Sequence, residues 1–322
     1  MRVALIGGSG FIGTELTPLL QKQGHEIIIG DIEKSEAFPS LWRFGDIREA
    51  KQMEDICRGC DAIINLAAVH HDDVRPLTLY YDTNVRGSEV LCEVAEKLNI
   101  AHIIFTSSVA VYGFQTGEPD EDTPHQPFNE YGKTKSQAED VYYLWHRHAP
   151  TKRTLTIIRP TVVFGPDNRG NVYNLLKQLA SGAFIMIGNG QNRKSMAYVE
   201  NVAAFIAYSL SFKTGTHIYN YVDKPDFTMN KLVRTVRQAL GKGDSVGLRL
   251  PYFVGYLAGT CFDILARLTG KRFPVSRIRI QKFCSNTIFS AEKAHSSGFK
   301  APRDLGAALE KTISHEFGAK SE

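Results

Sequence analysis

Residues 1–13 read MRVALIGGSGFIG and place three glycines, Gly7, Gly10 and Gly13, directly after the chain's first apolar run. Ordering a glycine costs more backbone entropy than ordering any other residue, so such a cluster needs a reason. Val3-Ala4-Leu5-Ile6 is short, apolar and β-prone, whereas Phe11, Ile12, Leu16, Leu19 and Leu20 recur at helical spacing. The stretch therefore reads as strand, tight turn, helix. In that setting glycines permit the turn, let backbone approach a pyrophosphate and let helix pack closely on strand, with the phosphates at the helix N-terminus. It is read as a dinucleotide site, with a plain glycine-rich βα turn as the bland alternative.

Signals of alternating strand and helix continue from there. HEIIIGD is followed by a segment ending LWRFGDI, a helix from about Glu49 to Cys57, DAIINLAA, a helix around NVRGSEVLCEVAEKLN, the strand HIIFTSS, a helix YGKTKSQAEDVYYLWHRH and the strand TLTIIRP. This spacing predicts an α/β fold, a Rossmann-like doubly wound parallel sheet with ligands at the carboxyl ends of its strands. The expected division is an NAD-binding Rossmann domain over 1–165, with a return segment at about 195–212, and a smaller C-terminal lobe over 166–322 that is mainly substrate-binding. A cleft between closely packed lobes is the expected place for a small molecule.

Composition narrows the function classes. With 322 residues, 43% of them hydrophobic, the chain can bury a large core. Its net charge of +4 is dispersed, without the basic stripe and interleaved aromatics of a nucleic-acid surface, so a small anionic ligand is the better fit. No basic, apolar, small-residue leader opens the sequence, which reads as cytoplasmic. PYFVGYLAGTCFDILARLTG, residues 251–270, is interrupted by Asp263 and Arg267. It is expected to be a packed helix and not an integral membrane span, with peripheral membrane contact the lesser reading. Of five cysteines, Cys57 and Cys60 have CxxC spacing without a second pair, and reduced thiols are expected. The consecutive side chains of HHDD, 70–73, are poorly placed to converge on one ion, so no metal is expected.

Asp31 ends the second strand, where a carboxylate accepts hydrogen bonds from an adenosine ribose and repels a 2′-phosphate. That favours NAD, while Lys34 three residues on leaves NADP open. Asp46 lies where an adenine amino group could be held, and equally where a surface-turn aspartate would stand. Tyr131 and Lys135 are four residues apart on one face of a predicted helix, and a cation beside a phenol lowers its pKa toward the range useful for acid/base work. Ser108, 23 residues upstream at a strand end, supplies a hydroxyl for a substrate oxygen.

In their order, GGSGFIG, Asp31, GDI, NLAA, NVRGS, TSSVAVYG, YGKTK, RPTVVFGP and YVENVA resemble the extended short-chain dehydrogenase/reductases, within them the nucleotide-sugar epimerases and dehydratases. The resemblance spans essentially the whole chain. It implies that Tyr131 is the catalytic acid/base, that Lys135 lowers its pKa and bonds the nicotinamide ribose, and that Ser108 orients substrate. It further implies a cofactor site of Gly7, Gly10, Phe11, Ile12, Gly13, Asp31, Asp46, Ile47, Ala67, Ala68, His70 and Pro160, beside Tyr131 and Lys135. On the substrate side it points to Asn171, for which helix capping is an equally good reason, and to Arg193 and Lys194 against the diphosphate. Lys194 stands where the family usually has arginine, and the two hold phosphate differently. Val109 and Ala110 replace the Asp-Glu of the dehydratases, which argues against 4,6-dehydration.

The implied activity is NAD-dependent redox chemistry at carbon 4 of a UDP-linked sugar, foremost a UDP-N-acetylhexosamine or UDP-hexose 4-epimerase. A 4-ketoreductase of a UDP-4-keto-6-deoxy-hexosamine in surface-polysaccharide biosynthesis shares every residue named, and the tail from Pro251 to Phe317 resembles such reductases. A non-catalytic NAD(P) sensor is the alternative of another class. A homodimer is also expected, because Val85, Val90, Leu91 and Val94, and Val141, Tyr142, Leu144 and Trp145, put apolar residues on more than one side of two helices that pair across a two-fold axis in the resembling family.

Overall fold

The structure, a computed structural model, describes residues 1–71, 74–270 and 276–318. Its first part runs β1 (Arg2–Ile6), α1 (Phe11–Lys22), β2 (Glu26–Asp31), β3 (Trp42–Phe44), α2 (Ala50–Cys57), β4 (Ala62–Asn65), α3 (Thr78–Tyr80), α4 (Gly87–Lys97), β5 (His102–Thr106), α5 (Glu130–Arg147) and β6 (Thr154–Pro160). After β7 (Val162–Phe164) come α6 (Asn171–Ser181), β8 (Met186–Ile187), β9 (Arg193–Tyr198), α7 (Val199–Ser209), β10 (Gly215–Tyr221), β11 (Asp223–Thr228), α8 (Met229–Ala239) and β12 (Arg249–Leu250). The chain ends through α9 (Tyr252–Thr269), α10 (Arg277–Cys284), α11 (Glu292–His295) and α12 (Leu305–Phe317).

Seven strands form one parallel sheet in the order β10-β6-β5-β4-β1-β2-β3. The alternation of side chains along a strand accounts for its two buried faces. Ala4 and Ile6 join Ile63, Ile103, Phe105, Leu155 and Ile157 in one core, whereas Val3 and Leu5 join Ile64, Ile104 and Ile158 in the other. The first core is completed by α2, α4 and α5, the second by α1 and α7. This is the doubly wound, Rossmann-like arrangement. Strand order reverses between β1 and β4, so the loops after these two strands diverge and open the crevice where ligands of such sheets bind.

The chain divides into two compact units. One comprises Met1–Val163, Ala197–Val222 and Phe289–Arg303; the other comprises Phe164–Met196, Asp223–Ile288 and the chain from Asp304. The returning segment Ala197–Val222 is longer than the 195–212 read from the sequence, because β10 follows α7 and adds a seventh strand beside β6. A second return, Phe289–Arg303, carries α11. Within the second unit α6, α8 and α12 pack on one another, α9 packs on α10, and β9 pairs antiparallel with β11.

The five cysteines are free thiols, with Cys57, Cys60 and Cys92 buried. Burial pushes the Cys57 and Cys92 thiols far up and that of Cys60 to about 11. No described helix is long and apolar enough to cross a membrane.

Candidate active site

The glycine loop connects β1 to α1. Gly7 has φ +76°, its N–H donates to the Gly30 carbonyl, and a Cβ there would lie 2.5 Å from the Ala67 nitrogen. A Cβ at Gly13 would lie 2.3 Å from the Gly8 carbonyl oxygen, so the first turn of the helix packs directly on the loop. Gly10 is less crowded, 3.3 Å from the Gly7 oxygen, and caps α1 with extended backbone and no side chain. Phe11 and Ile12 open the helix, Ile12 packing partly on the second core. With no side-chain cap and no acid in this first turn, its N–H groups suit an anion such as a pyrophosphate.

Asp31 ends β2 and is tied to that loop: Oδ2 accepts from the Ser9 N–H at 3.0 Å and Oδ1 from the Glu33 N–H at 3.0 Å. Lys34 is exposed. Asp46 and Ile47 are engaged by the chain itself. The Asp46 carboxylate receives Arg48 Nε at 2.9 and 3.0 Å, and the Arg48 guanidinium holds its pKa below the usual range. The Ile47 side chain is buried in the first core against the Cα of Gly87.

The loop after β4 is pinned by two buried asparagines. Asn65 donates to Tyr142 Oη at 2.8 Å and accepts from the Ala67 N–H at 3.0 Å. Asn84, in a widened π-helical turn over Tyr81–Arg86, bonds both the N–H and the carbonyl of Val69 and donates to Thr134 Oγ1 at 2.9 Å. Such turns recur at functional sites. Ala67 is thereby held beside Gly7, with Ala68 next in the loop, and His70 further on is exposed. Burial around its ring, with the charges of His71 and Lys135, lowers the His70 pKa. Asp72 and Asp73 of the HHDD stretch lie outside the described residues.

Ser108 caps a short 3-10 turn, Val109–Tyr112, its Oγ accepting the Ala110 N–H at 3.1 Å. Tyr131 stands in the first turn of α5, which is capped by Asn129. One turn on, Lys135 is 2% exposed, with Nζ 4.2 Å from the centre of the Phe105 ring. The expected electrostatics differ from those found. Burial pushes the Tyr131 phenol up and the hydrogen bond with Ser108 opposes it, while burial pushes the Lys135 ammonium down to about 7 with Glu139 opposing. In both groups removal from water is the largest cause of the shift.

Behind these residues lies a polar network that the motif reading missed. Glu139, fully buried, takes Arg159 Nε at 2.9 Å and Nη2 at 2.6 Å, and the Ser107 hydroxyl donates to it at 2.5 Å. Arg159 reaches on to Tyr112 Oη at 2.7 Å, which donates to Asn220 at 2.7 Å. The ends of β5, β6 and β10 are thus tied to α5 directly behind Ser108 and Lys135. The available signal was a Glu four residues after Lys135, on its helix face, together with an Arg in an otherwise apolar strand.

A family model described as the NAD dependent epimerase/dehydratase family matches residues 3–221. The chain belongs to this family. It is 50% identical over 318 residues, 98% of its length and 95% of the relative's, to the N-acetyl-alpha-D-glucosaminyl-diphospho-ditrans,octacis-undecaprenol 4-epimerase of Escherichia coli O157:H7. It is 30% identical over 285 residues, 83% of this chain and 85% of the relative, to the UDP-glucose 4-epimerase of Vibrio cholerae. The UDP-glucose 4-epimerase of Thermotoga maritima, solved with UDP-glucose, shares the fold at a TM-score of 0.76 and 22% identity, covering 98% of each chain.

Membership makes the chain an NAD-dependent enzyme, and the residues fit that cofactor: a loop where Gly7 and Gly13 leave no room for a Cβ, an uncapped helix start, and a carboxylate at the end of β2. Elsewhere the family expectations meet other facts. Pro160 is the last residue of β6, in register with Tyr221.

Asn171, Arg193 and Lys194 belong to the second unit. Asn171 is the exposed first residue of α6, whose N-cap is Gly170, so the capping reason given for it does not hold. Arg193 pairs with Asp226 at 3.2 Å. Lys194 spends its three N–H donors on the carbonyls of Lys282 and Ser285 and on Thr287 Oγ1, at 2.8, 2.7 and 3.0 Å, and burial lowers its pKa to about 8. It fastens the end of α10 and has no donor left for a diphosphate. One set of metal-ligand types meets among the described residues, Asp167, His315 and Glu316, within 4.8 Å. Their groups already bond one another, a backbone N–H and Arg169.

Proposed function

We propose that the chain is a 4-epimerase of an N-acetylhexosamine whose diphosphate joins it to a polyprenol. The observation that carries this reading is 50% identity, end to end, with an epimerase of that description, alongside an intact Ser108, Tyr131 and Lys135. The identity with a UDP-glucose 4-epimerase supports UDP-linked sugars as the second reading.

In this reading Ser108 orients the sugar's 4-hydroxyl and Tyr131 Oη takes its proton, then returns it to the reduced position. The first-turn position of Tyr131 favours its phenolate through the helix dipole, and a protonated Lys135 adds to this. NAD, when bound, supplies a reversible hydride acceptor for carbon 4. Gly7, Gly10, Gly13 and the N–H groups of Phe11 and Ile12 hold the pyrophosphate, Asp31 the ribose diol, and Ala67, Ala68 and His70 line the cofactor side of the crevice. Glu139 and Arg159 position α5 against the ends of β5 and β6.

The homodimer is retained as a proposal, but not on the grounds of surplus apolar surface. Val90, Leu91, Val94, Tyr142 and Trp145 are buried in the unit's own core, and Leu144 alone of the eight residues counted is exposed. The test of function is incubation with polyprenyl-diphospho-N-acetylglucosamine in detergent and separately with UDP-N-acetylglucosamine, following carbon 4 by NMR. Interconversion of the polyprenyl substrate is expected. Interconversion of the UDP sugar alone establishes the second reading, and turnover of neither overturns both.

A further inference from the structure

Helix α9 is 18 residues long, about 27 Å. One side lies against its own unit: a Cβ at Gly255 would stand 2.6 Å from Ile187, and one at Gly259 would stand 2.8 Å from the Arg277 nitrogen. Opposite this line, Phe253, Leu257, Cys261, Ile264 and Leu268 follow at spacings of four, four, three and four, one continuous helical stripe. Phe253 is 64% exposed, Leu257 59%, Ile264 53% and Leu268 79%. An apolar surface of this extent on a helix marks an interaction face. The sequence reading of a packed helix therefore holds for one side of α9 only.

Charge indicates what the stripe meets. Between Pro251 and Ser285 the sequence holds six basic residues against one acid, Asp263, so its local excess of +5 exceeds the +4 of the whole chain. Arg267, Arg277, Arg279 and Lys282 are all exposed. An apolar helix face bordered by cations is complementary to the interface of an anionic bilayer.

We propose that α9 and α10 form a docking surface for an anionic lipid bilayer, the stripe entering the boundary between headgroups and acyl chains while the basic residues meet the headgroups. The inference rests on the polyprenyl reading, since a sugar whose carrier is embedded in a bilayer has to be reached at its surface and a UDP sugar does not.

The test is co-sedimentation of the full chain with vesicles of phosphatidylethanolamine and phosphatidylglycerol, and with phosphatidylcholine vesicles, without substrate. Binding to the anionic vesicles that weakens on raising salt is expected. The double substitution Leu257→Glu and Leu268→Glu should lower partitioning about tenfold or more, by removing apolar burial and adding charge repulsion. Turnover of polyprenyl-diphospho-N-acetylglucosamine in detergent should be retained by this variant, which also shows that it is folded. Wild-type chain that turns over that substrate in detergent yet ignores anionic vesicles overturns the docking surface and leaves the function intact. Vesicle binding by a chain that turns over no polyprenyl substrate overturns the function and supports the surface. A wild-type dimer that ignores vesicles and becomes a monomer on the double substitution assigns the stripe to a second copy of the chain instead.

Discussion

Tyr131 and Lys135 share one helix face but are governed by burial. Replacing Tyr131 with Phe removes the proton-transfer group and leaves the backbone contacts of the glycine loop untouched. Turnover should fall about 10²- to 10⁴-fold while NAD affinity, measured by calorimetry, stays near wild type. Lys135 makes a second prediction. Its pKa is about 7 in the folded chain against 10.5 as the ordinary value, so between these limits the unfolded chain binds the extra proton. Folding stability contributed at this site therefore rises with pH from about 7 to about 10 and is flat below 7. Chemical denaturation of wild type and Lys135→Met across that window should show wild type gaining relative to the variant as pH rises.

At the scale of elements, the turn between β1 and α1 separates two kinds of glycine. A methyl group at Gly13 meets backbone that cannot yield, whereas one at Gly10 meets a contact of 3.3 Å. Gly13→Ala should destabilise the fold by about 1–3 kcal/mol without any cofactor present. Gly10→Ala should leave the thermal midpoint nearly unchanged and weaken NAD, because in the proposed site a methyl group at this helix N-cap would crowd the pyrophosphate. Lys194, which joins β9 to the end of α10, behaves as a structural group. Lys194→Met should lower stability by about 1–3 kcal/mol, since it strips three acceptors of their donor, with KM changed less than about twofold. A large rise in KM with unchanged stability would return it to the substrate site.

For the whole molecule, cofactor and fold are linked. NAD at about 100 times its Kd should stabilise the folded chain by about 2.7 kcal/mol, read as a shift in the denaturation midpoint. NADP at equal concentration should shift it less if, as proposed, the carboxylate of Asp31 holds the ribose diol and so repels a 2′-phosphate, and Asp31→Ala should narrow the difference. Equal shifts in wild type would place control of the ribose site elsewhere. The charge of the molecule is also unevenly spread, its positive excess lying wholly within residues 251–285.

What the sequence by itself determined was local and periodic: the glycine turn, the alternation of strands with helices, and the pairing of Tyr131 with Lys135 one turn apart. Each follows from residues near one another in the chain, where backbone geometry sets the spacing. Tertiary structure alone decided the rest. Glu139 and Arg159 meet only because α5 lies across the end of β6, and β10 becomes a sheet strand only once α7 has returned the chain to the edge beside β6. Lys194 had the right charge for a ligand, but Lys282, Ser285 and Thr287 already take its three donors. Apolar residues look alike in a sequence whether a helix buries them, as Val90 and Trp145 are buried, or leaves them in water, as it does Leu257 and Leu268, because burial depends on which neighbour the fold supplies.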